Sequence, residues 1–347
     1  MEQKQFKILS IDGGGIRGVL PARFLCEMED ELVRSGVSDP RLCDYFDLIC
    51  GTSTGGIIAI GLALGMRSKD ILDLYKKHGS KIFNKKSKLI NSVRLKSRYN
   101  SKYLHDILQK TFAQYSDNGD TRLGHAKTRL CIPTFNAFSG SINVYKTPHH
   151  EELIRDYLIP AHHAAVSTSS APFYFAPHSF KYECPVTGSQ NEIQNNIDGG
   201  VFANNPTLIG IFEATQSLQI PFSEIQVLSL GTGNMKYKEV SNNVKFGPLY
   251  WIKNVRIMEL MFNTQSEHTD NLIKFLNNGI GQTGNNKFIY KRIQYEFQKG
   301  ENVGLDETSK INQLEGYAHQ LYKINGSSIL DTFLKETKRE YKPFKTL

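Results

Sequence analysis

Gly51-Thr52-Ser53-Thr54-Gly55 is the stretch of this chain best suited to covalent chemistry. It fits G-x-S-x-G, a pattern in which a sharp strand-to-helix turn holds a serine in a strained conformation with its hydroxyl exposed. The flanking residues Gly51 and Gly55 are needed because a Cβ at either would collide with the neighbouring strand or helix. The apolar run Phe46 to Cys50 reads as a buried strand, and the small, apolar run Gly56 to Leu64 as a buried helix. The helix N-terminus would aim free N–H groups and the positive end of its dipole at whatever reacts with Ser53. The pentapeptide alone is common by chance, and the bland alternative is a Gly/Ser-rich βα loop. The strand before it and the helix after it shift the reading to a nucleophile.

Two further glycine-rich turns carry an aspartate. Asp12-Gly-Gly-Gly-Ile-Arg-Gly follows a predicted strand, Lys7 to Ile11, and precedes a predicted helix from about Pro21 to Arg34. Gly13, Gly15 and Gly18 match G-x-G-x-x-G, so a nucleotide-binding module that uses the Gly13–Gly18 loop as a phosphate cradle has to be weighed. Asp12 would then sit beside a pyrophosphate, and the next strand ends in a second glycine turn instead of a ribose-binding acid. The alternative is that Gly13, Gly14 and Gly15 present backbone N–H groups as an oxyanion hole. Arg17 would stabilise that loop or bind a phosphate; the plain option is a tight turn with Arg17 solvated. Asp198-Gly199-Gly200 is either a loop with an inward carboxylate or an ordinary Asp-Gly turn.

The elements that must position these residues follow in order. Helices are predicted at Ser68 to His78, with Ser68 as N-cap, at Lys102 to Tyr115, and largely through Glu152 to Ser170. Strands are predicted at Arg129 to Asn136, Ile142 to Lys146, Ile193 to Ile197 and Ile225 to Leu230. Asn205 and Pro206 open a helix over Thr207 to Ser217. Helices are plausible at Val255 to Leu276 and Glu307 to Tyr322, with an edge strand over Phe288 to Phe297 between them. Lys335 to Leu347 reads as peripheral. No repeat, linker or composition break appears, so residues 1–347 are expected to form one domain.

The five cysteines are scattered and include no C-x-x-C pair, which predicts reduced thiols in a cytosolic protein. No His/Cys/Asp cluster has ligand spacing, so neither a metal nor a cofactor is expected. The polar N-terminus has no secretory h-region, and the longest apolar run, Ile57 to Met66, is too short to span a bilayer. The net charge of +8 favours anionic partners. The basic segment from Lys81 to Lys102, with Lys85, Lys86, Lys88, Arg94, Lys96 and Arg98 and the interleaved Leu89, Ile90, Val93 and Leu95, is either a flap that touches an anionic surface or a solvated face. The expected partner is a membrane surface and not a nucleic-acid polymer; self-association is compatible with the sequence.

The ordered triple Asp12-Gly-Gly-Gly-Ile-Arg-Gly, Gly51-Thr-Ser-Thr-Gly and Asp198-Gly-Gly resembles the patatin-like phospholipase family, from Lys7 to at least Tyr322. The Ser170 to Phe175 turn and the Leu230-Gly-Thr-Gly strand end add to the likeness. The resemblance implies an α/β fold, a three-layer α/β/α sandwich with a mostly parallel central sheet. It implies a lipid acyl hydrolase with Ser53 as nucleophile and Asp198 as its base. By the same resemblance the backbone of Gly13, Gly14 and Gly15 forms the oxyanion hole, with Arg17 in support. Some compact bacterial members act in anti-phage defence: a cyclic nucleotide switches them on and they degrade the cell's own membrane. The resemblance permits that role for this chain, with a peripheral place on the inner face of the membrane and a cyclic nucleotide activator; a simple lipid acyl hydrolase is the base case. No histidine is expected to be catalytic. His162 and His163 precede Asp198 in the chain, and His268 and His319 lie in polar helical settings.

Overall fold

Alternate residues of the first strand belong to two different cores, and the rest of the architecture follows from that. Ile8 is buried with Phe6, Leu48, Cys50 and Val227 on one face; Leu9 and Ile11 are buried with Ile49, Leu228 and Leu230 on the other. A strand buried on both faces reads as a mostly apolar run, here with Lys7 and Ser10 as its buried polar members, which is how parallel sheets covered by helices are built. The computed structural model describes residues 4–84, 97–235, 247–252, 255–282, 287–298 and 301–347. Lys85, Lys86, Lys88, Leu89, Ile90, Val93, Arg94, Leu95 and Lys96 of the basic segment lie outside them.

The elements run β1 (Phe6–Ile11), α1 (Val19–Arg34), β2 (Leu48–Gly51), α2 (Thr54–Ala63), α3 (Ser68–Ile82), α4 (Lys102–Phe112), β3 (Arg129–Asn136), β4 (Ser141–Lys146), α5 (Ala161–Thr168), β5 (His178–Glu183) and β6 (Gln190–Asp198). They continue with α6 (Gly200–Ala203), α7 (Thr207–Phe212), β7 (Ile225–Leu230), β8 (Asn234–Met235), α8 (Pro248–Ile252), α9 (Arg256–Gln282), β9 (Ile289–Ile293), β10 (Glu296–Phe297) and α10 (Ile311–Ile329). The main sheet has the order β5-β6-β3-β2-β1-β7-β9, with β4 also paired to β3. The five strands from β3 to β9 are parallel, and β4, β5 and β6 join antiparallel. Helices cover both faces: α1, α2, α3 and α10 contribute to the larger core, and α7 and α9 to the smaller one. This is the expected α/β arrangement with a mostly parallel central sheet. Among the described residues no helix is long and apolar enough to cross a membrane.

Several local expectations need correction. Glu152 to Ser170 is not largely helical; Pro160 breaks it into a short 3-10 turn at Asp156–Leu158 and α5. Ser68 is not the cap of α3 but its first residue. Arg67 holds the cap position, and the Ser68 N–H donates at 2.8 Å to Glu29 Oε2, a carboxylate supplied by α1. The span Phe288 to Phe297 divides into β9, which extends the main sheet beside β7, and β10, which pairs with β8. The strand β5 carries no apolar signal because its residues alternate exposed and buried around Phe180 and Tyr182. Residues after Lys335 are anchored instead of peripheral: the Lys338 N–H donates to Asp44 O at 2.8 Å and the Arg339 N–H to Asp47 Oδ1 at 2.9 Å.

Candidate active site

Ser53 stands between β2 and α2 with φ 55 and ψ −124. A side-chain-bearing residue in that region stores on the order of 1–3 kcal/mol of backbone strain, which persists only where the surroundings enforce it. Three neighbouring residues enforce it. Thr52 Oγ1 donates to Ala203 O at 2.6 Å. The Ser53 N–H donates to Thr168 Oγ1 at 3.1 Å, and Thr168 donates onward to Pro133 O at 2.6 Å. Thr54 Oγ1 is hydrogen-bonded to the Tyr75 hydroxyl. The turn is therefore tied to α6, α5 and α3. A Cβ at Gly55 would lie 2.2 Å from Ile11 O, and one at Gly51 would lie 2.1 Å from Gly55 O. Both glycines of the pentapeptide are sterically required, as the sequence pattern predicts.

The parallel pairing of β1 with β2, through Ile11 and Gly51, brings the two glycine turns out at the same edge of the sheet. Ligand sites in such sheets form outside the carboxyl ends of the strands. A Cβ built on Gly13 would lie 3.2 Å from Ser53 Cβ, so the first glycine of the loop touches the serine. The Gly13 N–H donates to Asn204 O at 3.0 Å and its carbonyl accepts from Thr232 Oγ1 at 2.7 Å. The Gly14 and Gly15 N–H groups make no hydrogen bond among the described residues, so they are the donors of this loop that remain open to an oxyanion. Asp12 faces inward. Its Oδ1 accepts from Arg292 Nη1 at 2.8 Å, and its Oδ2 accepts from Ser266 Oγ at 2.6 Å and from Arg292 Nη2. The loop is thus pinned by a buried ion pair to β9, a role that no sequence pattern announces. Arg17 is fully buried, which excludes the solvated option, and its Nε and Nη1 have no partner among the described residues. Burial lowers its pKa, against the opposing pull of Glu259 and Tyr174.

Asp198 ends β6. That strand meets β3 with Asp198 opposite Thr134, three residues beyond Cys131, where β2 pairs. The shared neighbour β3 therefore sets Asp198 level with the turn that follows β2. The carboxylate is completely buried; Oδ1 accepts the Gly200 N–H at 2.7 Å, and Oδ2 has no hydrogen-bond partner among the described residues. Burial pushes its pKa up to about 7, against the opposing effects of the Ser53 hydroxyl and the Gly200 N–H. Ser53 approaches the carboxylate without closing a full hydrogen bond, a looseness common before substrate binds. Beside Ser53 opens a cavity of about 600 Å³, mouth included, with apolar walls that include Leu74, Phe83, Leu104, Phe175 and Phe262.

Ser53, the glycine loop and Asp198 are therefore brought together, with Arg17 buried nearby in the same motif. Thr168 and Arg292, which hold two of them, carry no motif in the sequence. His162 and His163 belong to α5, His268 is exposed on α9, and His319 Nδ1 lies 2.9 Å from Glu27 Oε1 on α1. Among the described residues no histidine lines the cavity beside Ser53.

A family model described as patatin-like phospholipase matches residues 9–211. Patatin-like protein 2 of Oryza sativa is 31% identical over 368 aligned positions, which cover 94% of this chain and 84% of the relative. The protein named cGAMP-activated phospholipase in Vibrio cholerae is 36% identical over 245 positions, 68% of this chain and 66% of the relative. Patatin-04/09 of Solanum tuberosum is 30% identical over 343 positions, 89% of this chain and 81% of the relative.

Proposed function

This chain belongs to the patatin-like phospholipase family, a family of lipid acyl hydrolases, and from that premise we propose that it cleaves acyl esters of membrane phospholipids with Ser53 and Asp198 as its catalytic pair. The observation that carries the assignment is the unpartnered, buried Oδ2 of Asp198 beside a serine in a strained turn. A carboxylate with a pKa near 7 is half deprotonated at neutral pH and basic enough to take a proton from a hydroxyl. In the reaction, Asp198 accepts the proton of Ser53 Oγ as Oγ bonds to the ester carbonyl carbon. The N–H groups of Gly14 and Gly15 stabilise the negative oxygen, with the buried charge of Arg17 behind them. The tetrahedral intermediate collapses, the bond to the lipid alcohol breaks, and Asp198 returns the proton to that alcohol. Water then attacks the acyl-serine and gives its proton to Asp198; the bond between the acyl carbon and Ser53 Oγ breaks, Asp198 returns that proton to Oγ, and a fatty acid leaves. The apolar cavity suits the acyl chain.

Peripheral attachment to an anionic membrane surface completes this reading, since the substrate is presented there and the net charge is +8. A second element concerns control. Two relatives, from Vibrio cholerae and Escherichia coli, at 36% and 31% identity, carry the name cGAMP-activated phospholipase. We extend that switch, and with it an effector role in anti-phage defence, to this chain. The test is mass spectrometry of mixed phospholipid vesicles incubated with the protein, with and without cGAMP. Free fatty acid and lysolipid are expected from the wild type and not from Ser53→Ala, with more product in the presence of cGAMP. Release that survives Ser53→Ala would overturn the assignment; equal release without cGAMP would remove the switch alone.

A further inference from the structure

Four histidines from three elements meet at one place away from the acyl cavity. His105 comes from α4, His162 and His163 from the first turn of α5, and His178 from the start of β5. The ligating nitrogens of His105, His162 and His163 all lie within 4.8 Å of one another, and their ring centroids are 4.2 to 5.1 Å apart. No spacing in the sequence marks this group, because only the packing of α4 on α5 assembles it.

We propose that His105, His162 and His163 form a binding site for a divalent transition metal of the zinc type. Three imidazoles with water in the fourth position are a common zinc set, whereas calcium and magnesium demand oxygen ligands. The outer contacts have the form that metal-binding histidines use. His105 Nδ1 lies 3.2 Å from Asp106 Oδ1, and a carboxylate on one ring nitrogen orients the other toward a metal. His163 Nδ1 lies 3.0 Å from His178 Nε2, which leaves Nε2 of His163 to ligate. Its ring is further held by Phe180, stacked at 4.2 Å and 11°. His162 makes no hydrogen bond to the protein among the described residues. Packing alone would be served as well by phenylalanine or leucine, and it gives no reason for three imidazoles at one point. Metal–nitrogen bonds of about 2.0–2.1 Å put tetrahedral ligands about 3.3 Å apart, so the rings draw together on binding.

The site would fasten α4 to α5, and both helices reach the candidate active site. Leu104, beside His105, lines the cavity, and Thr168, at the far end of α5, holds the Ser53 N–H. The metal is thus a clamp on the scaffold, with no part in the acyl transfer.

The experiment titrates tag-free, chelator-stripped full-length protein with Co(II) alone and follows the visible d–d absorption, then adds Zn(II) as competitor. One Co(II) per chain with the intense spectrum of four-coordinate cobalt, displaced by Zn(II) and unaffected by Mg(II), is expected. His105→Gln, His162→Gln and His163→Gln should each weaken binding at least tenfold, while His268→Gln on α9 should not. Zn(II) should raise the Tm of the wild type and leave that of His105→Gln unchanged. A six-coordinate spectrum, displacement by Mg(II), or binding that survives the three substitutions would overturn the proposal. Should His163→Gln fail to fold, His105→Gln decides, since that side chain reaches solvent on α4, being 26% exposed, and Gln is close to it in size.

Discussion

Asp198 has one oxygen satisfied by Gly200 and the other without a partner among the described residues, and this asymmetry bears both on its proposed role and on stability. In the proposed dyad the base must be deprotonated. Turnover of a soluble ester should therefore rise with pH through an apparent pKa near 7 and level off above it. The folded state also binds this proton more tightly than the unfolded chain does. The contribution of Asp198 to stability is therefore fully present below the ordinary carboxyl range and is lost as pH rises from about 4 to about 7. Asp198→Asn removes that loss. It should abolish turnover yet raise the Tm at pH 8, with the gain shrinking toward pH 4. Glu29, which burial also pushes up to about 7, titrates equally in both proteins and cancels in the difference. A variant less stable at pH 8 would show that burial of this carboxylate is not a cost to the fold. Ser53→Ala and Asp198→Ala should each eliminate hydrolysis, and the double variant should be little worse than either, because residues that act as a unit are not additive. Additive losses in kcat would count against a shared dyad. Substitution of His162, His163, His268 or His319 by Gln should leave kcat on a soluble ester well short of a 10⁴-fold loss, the size expected when a triad member goes.

At the level of elements, β9 controls a loop far from it in sequence. Arg292 reaches Asp12 across 280 positions and carries the only charge paired with that carboxylate among the described residues. Arg292→Leu leaves a buried carboxylate alone, and such breaks are worth about 3–5 kcal/mol. Its Tm should fall sharply, and Asp12→Leu/Arg292→Leu should regain part of the loss. A double variant no better than the single one would show that the pair is not what holds the loop. This pairing also shows what sequence reading can and cannot reach. Gly51 and Gly55 are legible because local sterics alone demand them, and Ser53 because the strand and helix flank it directly. Ile225–Leu230 is legible to the residue, since burial on both faces writes a mostly apolar run, Ile225, Val227, Leu228 and Leu230, interrupted only by Gln226 and Ser229. Asp198 stands out only as one member of an ordered triple. Arg292, Thr168 and the Glu29 carboxylate that meets the start of α3 are not legible, because each acts on a partner remote in sequence. The helix expected across Glu152 to Ser170 is interrupted at Pro160, whose ring removes a donor and blocks the preceding turn.

For the molecule as a whole, the proposed attachment to an anionic, lipid-bearing surface rests on the +8 net charge and the apolar cavity. The protein should sediment with anionic vesicles more than with neutral ones, and less in high salt. Each basic residue near such a surface contributes on the order of 1 kcal/mol, screened within a Debye length of about 10 Å at 0.1 M salt. Binding independent of salt, or equal for neutral vesicles, would remove electrostatics as the cause. The sheet order bears on how the chain is made. One edge of β1 pairs with β2, but the other pairs with β7, Phe6 opposite Ile225. A ribosome adding about 5–20 residues per second needs roughly 10 to 40 seconds to cover that interval. Throughout it β1, a strand buried at every residue, presents an unpaired edge, the kind that templates aggregation. Newly made chains are therefore expected to gain from a chaperone, and refolding yield from slow dilution out of denaturant, until Ile225–Leu230 is available to close the sheet.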